Sequence, residues 1–332
     1  MGRRRTRDRH LPARVYRHRN WYRYVPRDGK PIPLARIEDY AGMLRALADL
    51  LGESPPIRTI SGLLDRYGLE VLPEKAESTR KDQTRQLENL RKTFGHMIPS
   101  DLRQSHAAQY MHKRAATAPT AAVHEVQLLS HVCTKAVEWD VMTVNPLRGM
   151  RKISRPPRQR YVTDQEFEYV LSLASPMVQA VMKLAILTGL RRGDIFALRK
   201  TDYTADGLLV TPSKTKGSTG VQLLFELTDE LVEVIEQAIA LPPKSRPFIV
   251  GNRAGNQYTK DGFDSVWQRL MSKATDPDSD QSIERFQFRD LRRKSASDEE
   301  DEQIAQQRLG HASVAITNRV YRVLPKKVKP LR

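Results

Sequence analysis

A proline-broken basic segment, residues 148–160, most constrains how this chain can fold. It places Pro156–Pro157 among closely spaced arginines and lysines, a composition typical of an extended, semi-rigid connection. The segment is therefore the best candidate for a domain boundary. A chain of 332 residues is long enough for two or three domains, and we expect it to divide here.

The charge of the chain indicates a polyanionic partner. Lysine and arginine number 56 against 39 aspartates and glutamates, a formal net charge of +17. Neutralising phosphates with such side chains releases counterions and drives binding. On charge alone, a merely soluble basic protein remains an alternative. The linker is expected to follow a phosphate backbone, although basic linkers often make no specific contact; its candidate residues are Arg151, Lys152, Arg155, Arg158 and Arg160.

Other features of the composition exclude whole classes of protein. The single cysteine, Cys133, allows no disulfide within the chain, which is typical of a reducing cytoplasm. No Cys/His cluster has metal-ligand spacing, so we expect no metal. The longest apolar run, 177–190, contains Lys183 and is too short to span a bilayer. The arginine-rich start has no apolar segment behind it and is no secretory signal.

The first 34 residues combine many arginines with interleaved aromatic residues. Within the run V-Y-R-H-R-N-W-Y-R-Y-V, aromatic and basic residues alternate from Trp21 to Tyr24 and predict a strand, and Asp28–Gly29 predicts a hairpin turn. A disordered basic tail is the alternative, because residues 1–9 have almost no apolar side chain. We favour a small β-ribbon that contacts DNA. The candidate contacts are Arg3, Arg4, Arg5, Trp21, Tyr22, Arg23 and Tyr24.

Residues 37–147 show helical periodicity. Apolar side chains such as Val126, Leu129 and Cys133 recur at helical spacing, and Asn145–Pro146 ends the pattern. Four helices with apolar stripes and basic outer faces predict a small bundle, either a plain scaffold or a DNA-binding domain. The predicted helices are a linker helix at 37–53 and four more at 59–67, 79–95, 105–114 and 119–139.

Beyond the linker the pattern becomes mixed. Thr163 and Glu166 form a capping box, and an apolar helix starts at Ser175–Pro176 and ends at Gly189. The second domain is therefore predicted to be mainly helical with a small antiparallel sheet. The remaining predictions are strands at 208–211, 221–227 and 248–250, a polar hairpin loop between the first two, a helix from Thr228 to Ala240, and a helix carrying Phe263 to Met271.

The stretch 288–321 concentrates the side chains that can carry chemistry. Arg289 and Arg292 are spaced i and i+3 and so share a helix face. Guanidinium groups grip phosphate oxygens in a bidentate manner. His311 follows a glycine, and Tyr321 carries a hydroxyl that can act as a nucleophile. Upstream, T-G-L-R-R-G-D supplies a third arginine, Arg191.

These motifs, in this order, resemble the tyrosine recombinases, and phage integrases in particular. The resemblance covers nearly the whole chain, whereas a lone L-G-H or T-G-L-R would be weak. It implies a mainly α fold with small antiparallel β elements in a multidomain tyrosine-recombinase architecture. The implied domains are an arm-type DNA-binding domain with its linker helix at 1–53, a helical core-binding domain at 54–147, a linker at 148–160, and a mixed α/β catalytic domain with a C-terminal tail at 161–332.

The resemblance also implies roles for the candidate catalytic residues. Arg191 and Arg292 would hold the two non-bridging oxygens of the scissile phosphate. Tyr321 would attack that phosphate, form a 3′-phosphotyrosyl link and free a 5′ hydroxyl. An alternative for Tyr321 is a role in core packing alone.

Three further residues would support this chemistry. Lys214 would give a proton to the departing 5′ oxygen, with Lys216 as the alternative donor. Asp194 would orient the Arg191 guanidinium through a bidentate bond. His311 would hydrogen-bond the phosphate or aid proton transfer.

Two positions depart from the family pattern. Most members have a histidine where this chain has Arg289. Arginine stays charged at all relevant pH values, so it cannot act as a general base, although it can clamp phosphate. His311 is then the only side chain near the site that titrates near neutral pH. Its spacing to Tyr321 is one residue longer than the commonest family spacing.

The resemblance implies a homotetramer that acts on attachment sites of core and arm type in double-stranded DNA, with no cofactor. DNA-bending accessory proteins and an excision factor are further expected partners, in the cytoplasm and nucleoid of a bacterial host. The basic tail after Tyr321 would dock on a neighbouring protomer or contact DNA nonspecifically. Two alternatives remain: a recombinase that resolves replicon dimers, which the N-terminal arm disfavours, and a catalytically decayed DNA-binding regulator, supported only by Arg289.

Overall fold

The computed structural model describes residue 8 and residues 11–51, 57–154, 158–214, 220–278 and 283–324. The chain forms two compact units, Met1–Arg155 and Pro156–Arg332. This division falls inside the predicted linker, and the further boundary near residue 53 stays a prediction. Five residues with predicted roles lie outside the described residues, as does the tail after Leu324: Arg3, Arg4, Arg5, Arg155 and Lys216.

The first unit begins with a three-stranded antiparallel sheet in the order β1-β2-β3. The strand predicted at Trp21–Tyr24 is confirmed, and another strand precedes it, because the chain turns at Arg19–Asn20 and pairs His18 with Trp21. Arg19 adopts a φ of 51°, and asparagine is favoured in turns because its side chain can bond to nearby backbone. The strands are β1 (Val15–His18), β2 (Trp21–Tyr24) and β3 (Ile32–Arg36).

Five helices follow in this unit, all within a few residues of their predicted positions. The side chain of Thr59 caps the second by accepting a hydrogen bond from the Gly62 N–H at 3.4 Å. Val126, Leu129 and Cys133 are buried in the core of the bundle, as their spacing predicted. The helices are α1 (Tyr40–Leu51), α2 (Ile60–Glu70), α3 (Glu77–Phe94), α4 (Gln104–Ala115) and α5 (Pro119–Glu138).

The second unit is helical around a small antiparallel sheet in the order β4-β5-β6. Its strands are β4 (Tyr203–Thr204), β5 (Gly207–Val210) and β6 (Leu223–Phe225). Its helices are α6 (Asp164–Leu173), α7 (Pro176–Thr188), α8 (Arg192–Ala197), α9 (Asp229–Ala240), α10 (Lys260–Ala274), α11 (Phe288–Asp298), α12 (Glu302–Leu309) and α13 (Val314–Val320).

Local sequence signals account for much of this second unit. The capping box of Thr163 and Glu166 is confirmed, with each side chain bonded to the other residue's backbone N–H. The apolar α7 packs against both α9 and α11, so it forms the centre of the unit. None of the helices in the described ranges is long and apolar enough to cross a membrane.

The predicted strand at 248–250 is wrong. The segment makes only an isolated bridge between Arg199 and Phe248. Its backbone groups are satisfied in other ways, since the Ile249 N–H donates to Leu198 at 2.9 Å and the Ile249 carbonyl accepts from the Arg246 guanidinium at 3.2 Å. A strand partner is therefore not required.

Candidate active site

A cationic cleft of about 720 Å³ lies in the second unit. Its walls bring together five of the predicted catalytic residues: Arg191, Lys214, Arg289, Arg292 and Tyr321. Four more arginines line it, namely Arg158, Arg192, Arg285 and Arg293. The Asp264 carboxylate on the wall is already paired with Arg192, so the cleft retains a large positive surplus. Such a surface attracts phosphate groups.

Arg292 is buried in α11, and its partners carry no charge. One terminal nitrogen donates to the Gly189 carbonyl, and the other donates to the Leu309 carbonyl at 2.9 Å and faces His311 Nε2 at 3.0 Å. Burial, reinforced by nearby Arg191, lowers the pKa of Arg292 to about 10. The guanidinium therefore remains charged at neutral pH, and none of these partners neutralises that charge.

Gly189 allows the end of α7 to approach Arg292. It adopts a left-handed φ of 61°, where a residue with a side chain is strained. A Cβ at this position would also lie 2.8 Å from the Leu309 side chain. The glycine of the T-G-L-R motif thus places its carbonyl against the guanidinium and leads directly to Arg191.

His311 lies behind Arg292 and is itself buried. A guanidinium has only donors, so Nε2 must accept from Arg292 and the ring proton must be on Nδ1. Nδ1 lies 2.8 Å from the Thr317 hydroxyl, which accepts that proton's hydrogen bond. Burial, Arg292 and Arg191 lower the pKa of His311 to about 4, so the ring is neutral at pH 7. Both ring nitrogens therefore have partners within the protein.

Tyr321 follows α13 directly and lies in the same group of side chains. Its ring centre is 4.7 Å from that of His311 and 5.0 Å from the guanidinium carbon of Arg292. Its N–H donates to the Thr317 carbonyl at 2.9 Å, and its carbonyl accepts from the Ser297 hydroxyl at 3.3 Å. The phenol ring therefore lies beside the Arg292 guanidinium within one chain.

Asp194 does not make the bidentate bond predicted for it. Its Oδ2 lies 4.0 Å from the nearest Arg191 nitrogen, beyond hydrogen-bonding distance. Oδ1 instead accepts from the N–H and hydroxyl of Ser213, at 2.9 and 2.7 Å. This buried carboxylate therefore fixes the residue that precedes Lys214, whose side chain is exposed at the cleft.

Arg289 lies on α11 one turn before Arg292, as the spacing predicted. It is exposed, whereas Arg292 is buried. Within the described ranges, no hydrogen bond or ion pair engages the Arg289 side chain. Its guanidinium is available to a phosphate in the cleft.

A sequence model of the Phage integrase family matches residues 161–327, half of the chain. The chain belongs to this family. Integrase of Escherichia phage HK022 is 27% identical over 251 residues, which cover 69% of each protein. A lambda integrase dimer bound to a COC′ core site shares the fold at a TM-score of 0.68 and 19% identity, over 100% of this chain and 99% of that one. A lambda integrase tetramer bound to a Holliday junction gives 0.67 and 21%, over 96% of both chains.

This phage integrase family member is therefore a site-specific recombinase, an enzyme that cleaves and religates DNA. The predicted family is confirmed, as is the mainly helical multidomain fold with small antiparallel sheets. Among the described residues of this integrase, no group of three or more His, Cys, Asp or Glu side chains could hold a metal.

The side chains predicted to contact DNA differ in their exposure and in their ion pairs within the protein. In the linker, Arg151 and Lys152 are exposed, but Arg160 is tied to Glu166 and Glu284 and is only 12% exposed. Arg158 lies at the cleft with its Nε 3.2 Å from the fully buried Asp290 carboxylate. Arg160 thus serves the packing of the unit.

In the N-terminal sheet the integrase exposes one aromatic residue and buries another. Trp21 is exposed, with the Arg36 guanidinium 5.9 Å from its ring, and Arg23 and Tyr24 are half-buried. Tyr22 is 2% exposed and packs in the small core between the sheet and α1. The prediction that Tyr22 contacts DNA is wrong, because successive strand residues point to opposite faces.

Sequence reasoning missed three residues that hold this site together. Ser213 carries Asp194's hydrogen bonds, and Thr317 bonds both His311 and the backbone of Tyr321. Arg293 binds Asp290 at 3.0 Å and donates to the Val320 carbonyl at 3.3 Å. The available signal for Thr317 was its position four residues before Tyr321, one helical turn away.

Proposed function

We propose that Tyr321 is the nucleophile with which this integrase cuts one DNA strand. The phenol releases its proton to solvent in the open cleft, its oxygen bonds to the scissile phosphorus, and the bond to the 5′ oxygen breaks, leaving a 3′-phosphotyrosyl link and, once that oxygen is protonated, a 5′ hydroxyl. The observation that carries the proposal is the 5.0 Å separation between the Tyr321 ring and the Arg292 guanidinium carbon within one chain. The covalent link conserves the energy of the broken bond, so religation needs no cofactor.

Three arginines divide the work of holding the phosphate. Arg191 and Arg292 bind its non-bridging oxygens, and the exposed Arg289 adds a third guanidinium. Arg292 uses three of its five N–H groups on the Gly189 and Leu309 carbonyls and on His311, and these bonds fix the guanidinium in place. Donors fixed before substrate arrives stabilise the charge that develops in the transition state.

Lys214 supplies the proton for the departing 5′ oxygen in this proposal. It lies on the cleft wall, and its neighbour Ser213 is fixed by Asp194. An ammonium group is suited to this task because it carries three donors on a long stem. His311 is neutral and bonded on both nitrogens, so its role is to support Arg292.

We further propose an integrase that acts as a homotetramer on core-type and arm-type attachment sites, in the cytoplasm and nucleoid of a bacterial host. Support comes from the lambda integrase tetramer, which shares this fold on a Holliday junction. A DNA-bending protein and an excision factor would assist. The three-stranded sheet ahead of the helices supports the integrase subtype over a dimer-resolving recombinase. The domain limits remain those predicted: 1–53 for arm sites, 54–147 for core sites, a linker at 148–160, and catalysis at 161–332.

Covalent trapping tests the nucleophile. The core site is first identified as a sequence repeated in the DNA that flanks the gene. A suicide substrate that contains this site and a nick is then used, so that the cleaved strand cannot be rejoined. Wild type should form a protein–DNA adduct on denaturing gels, and Tyr321→Phe should form none. Tyr169→Phe, which removes a hydroxyl on α6 away from the cleft, is the matched control and should trap normally. An adduct that survives Tyr321→Phe would reassign the nucleophile.

A further inference from the structure

Thr317 joins three residues of the site through its side chain and its backbone. It is fully buried in α13. Its hydroxyl lies 2.8 Å from His311 Nδ1, and its carbonyl accepts the N–H groups of Tyr321 at 2.9 Å and Arg322 at 3.1 Å. Thr317 thus contacts both His311, which is bonded to Arg292, and the backbone of Tyr321.

The Thr317 hydroxyl accepts a hydrogen bond from His311 when the ring proton is on Nδ1, which is the tautomer that Arg292 requires. Arg292 can only donate, so it demands a lone pair on Nε2 and thereby a proton on Nδ1. A buried N–H needs an acceptor, and the Thr317 oxygen supplies it. If that oxygen is removed, the Nδ1 proton has no partner in the observed geometry. The ring can then seek another partner only by rotating, which takes Nε2 away from Arg292.

We propose that Thr317 is a positioning residue for strand cleavage. Its hydroxyl fixes the His311 ring, the ring fixes the Arg292 guanidinium, and its carbonyl holds Tyr321 beside that guanidinium. The inference rests on the proposed function, because it assigns Arg292 and Tyr321 to the reacting phosphate. It adds a residue that touches no DNA and acts only through these neighbours.

Two substitutions separate this role from simple packing. Thr317→Val keeps the branched shape and removes the hydroxyl, whereas Thr317→Ser keeps the hydroxyl and removes a methyl group. Thr275→Val is the matched control, since the Thr275 hydroxyl donates to the Met271 carbonyl at the end of α10, away from the residues that line the cleft. Each variant is assayed for core-site binding and for single-turnover cleavage of the nicked substrate at saturating protein.

A second readout follows the imidazole itself. In full-length protein labelled with ¹⁵N-histidine, the Nδ1–H signal of His311 is assigned by its loss in His311→Gln. Thr317→Val should lose this signal and cleave about tenfold more slowly with unchanged DNA binding, equivalent to a barrier change of about 1.4 kcal/mol. Thr317→Ser should restore both, and Thr275→Val should change neither.

Several results would overturn the inference. They are wild-type cleavage by Thr317→Val, failure of Thr317→Ser to restore the rate, or a wild-type spectrum with the His311 proton on Nε2. The last needs no Thr317 variant, so it decides the matter even if Thr317→Val does not fold. If the proposed function is wrong, a different result is expected: Tyr321→Phe still forms the adduct. That result would not change the position of the His311 proton in the spectrum.

Discussion

The two sides of the cleft are held in different ways. On the side of α11 and α13, Arg292 and His311 are buried and bonded to each other, and Tyr321 packs against both. Elsewhere on the cleft wall, Lys214 is exposed, and its neighbour Ser213 donates two hydrogen bonds to Asp194. The first part is a fixed network, and the second presents a long exposed side chain beside a residue that Asp194 holds in place.

This difference matches the chemical tasks. Stabilising charge on a phosphate depends on donors whose positions do not change during the reaction. A general acid must reach a leaving oxygen that moves as its bond breaks, and a long flexible side chain can follow it. We therefore expect substitutions near Arg292 to impair stabilisation of charge on the phosphate, and substitutions near Lys214 to impair protonation of the leaving oxygen.

The largest effect is expected on the fixed side. Arg292→Gln removes the buried charge and strips His311 Nε2 and the Leu309 carbonyl of their donor. Single-turnover cleavage should fall about 1000-fold, the upper range for losing one fixed donor to a developing oxyanion. The matched control is Arg289→His, which changes an exposed cation on the same helix and should retain cleavage.

Near-normal cleavage by Arg292→Gln would break the comparison, because the buried network would then be dispensable. Complete loss of cleavage in Arg289→His would show that an arginine has a specific role at that position.

A smaller effect is expected on the Lys214 side. Asp194→Ala releases Ser213 and should slow cleavage by about 30-fold, less than the roughly 100-fold or more for losing a general acid, because Lys214 itself remains. A substrate with sulfur in place of the 5′ oxygen should restore the rate, because a thiolate leaves without needing a proton. Lys214→Ala should be restored in the same way.

Arg292→Gln is the control that should not respond to the sulfur substrate. If Asp194→Ala is equally insensitive, Asp194 acts on phosphate binding instead of on the proton donor. If Lys214→Ala is insensitive, Lys216 becomes the candidate acid.

The smallest effect concerns stability. The pKa of His311 is lowered to about 4 from an ordinary value near 6.5. Between these values the unfolded chain binds a proton that the folded chain excludes, so acidification destabilises the fold. Between pH 7 and pH 5, wild type should lose about 2 kcal/mol more unfolding free energy than His311→Gln. Equal pH dependence, measured by urea denaturation, would show that His311 is not held neutral.

Much of the fold could be predicted from local signals. Helical periodicity located α1 to α5, and the capping box of Thr163 and the glycine stop at Gly189 marked helix ends in the second unit. The failure at 248–250 depends in part on a residue that is distant in sequence, Leu198. The segment at Phe248 is satisfied by Leu198 and a buried arginine, and no propensity of its own sequence encodes that.

The site shows the same limit. The residue types of the motifs predicted which side chains would meet in the cleft, and their chemical roles stay predictions. The Asp194 bond to Ser213 spans 19 residues of sequence, and the Arg292 bond to Gly189 spans 103. Such pairings follow from how α7, α8 and α11 pack, which a reading of local patterns cannot supply.

The excess of arginines in the cleft has a consequence for target choice. Guanidinium groups that bind phosphate contact a group common to every nucleotide, so these contacts in the catalytic cleft do not distinguish one base sequence from another. Selection of one locus among many must be made on other surfaces of the protein. Changing the DNA sequence that this enzyme recognises therefore requires substitutions on those other surfaces, and the catalytic residues can stay as they are.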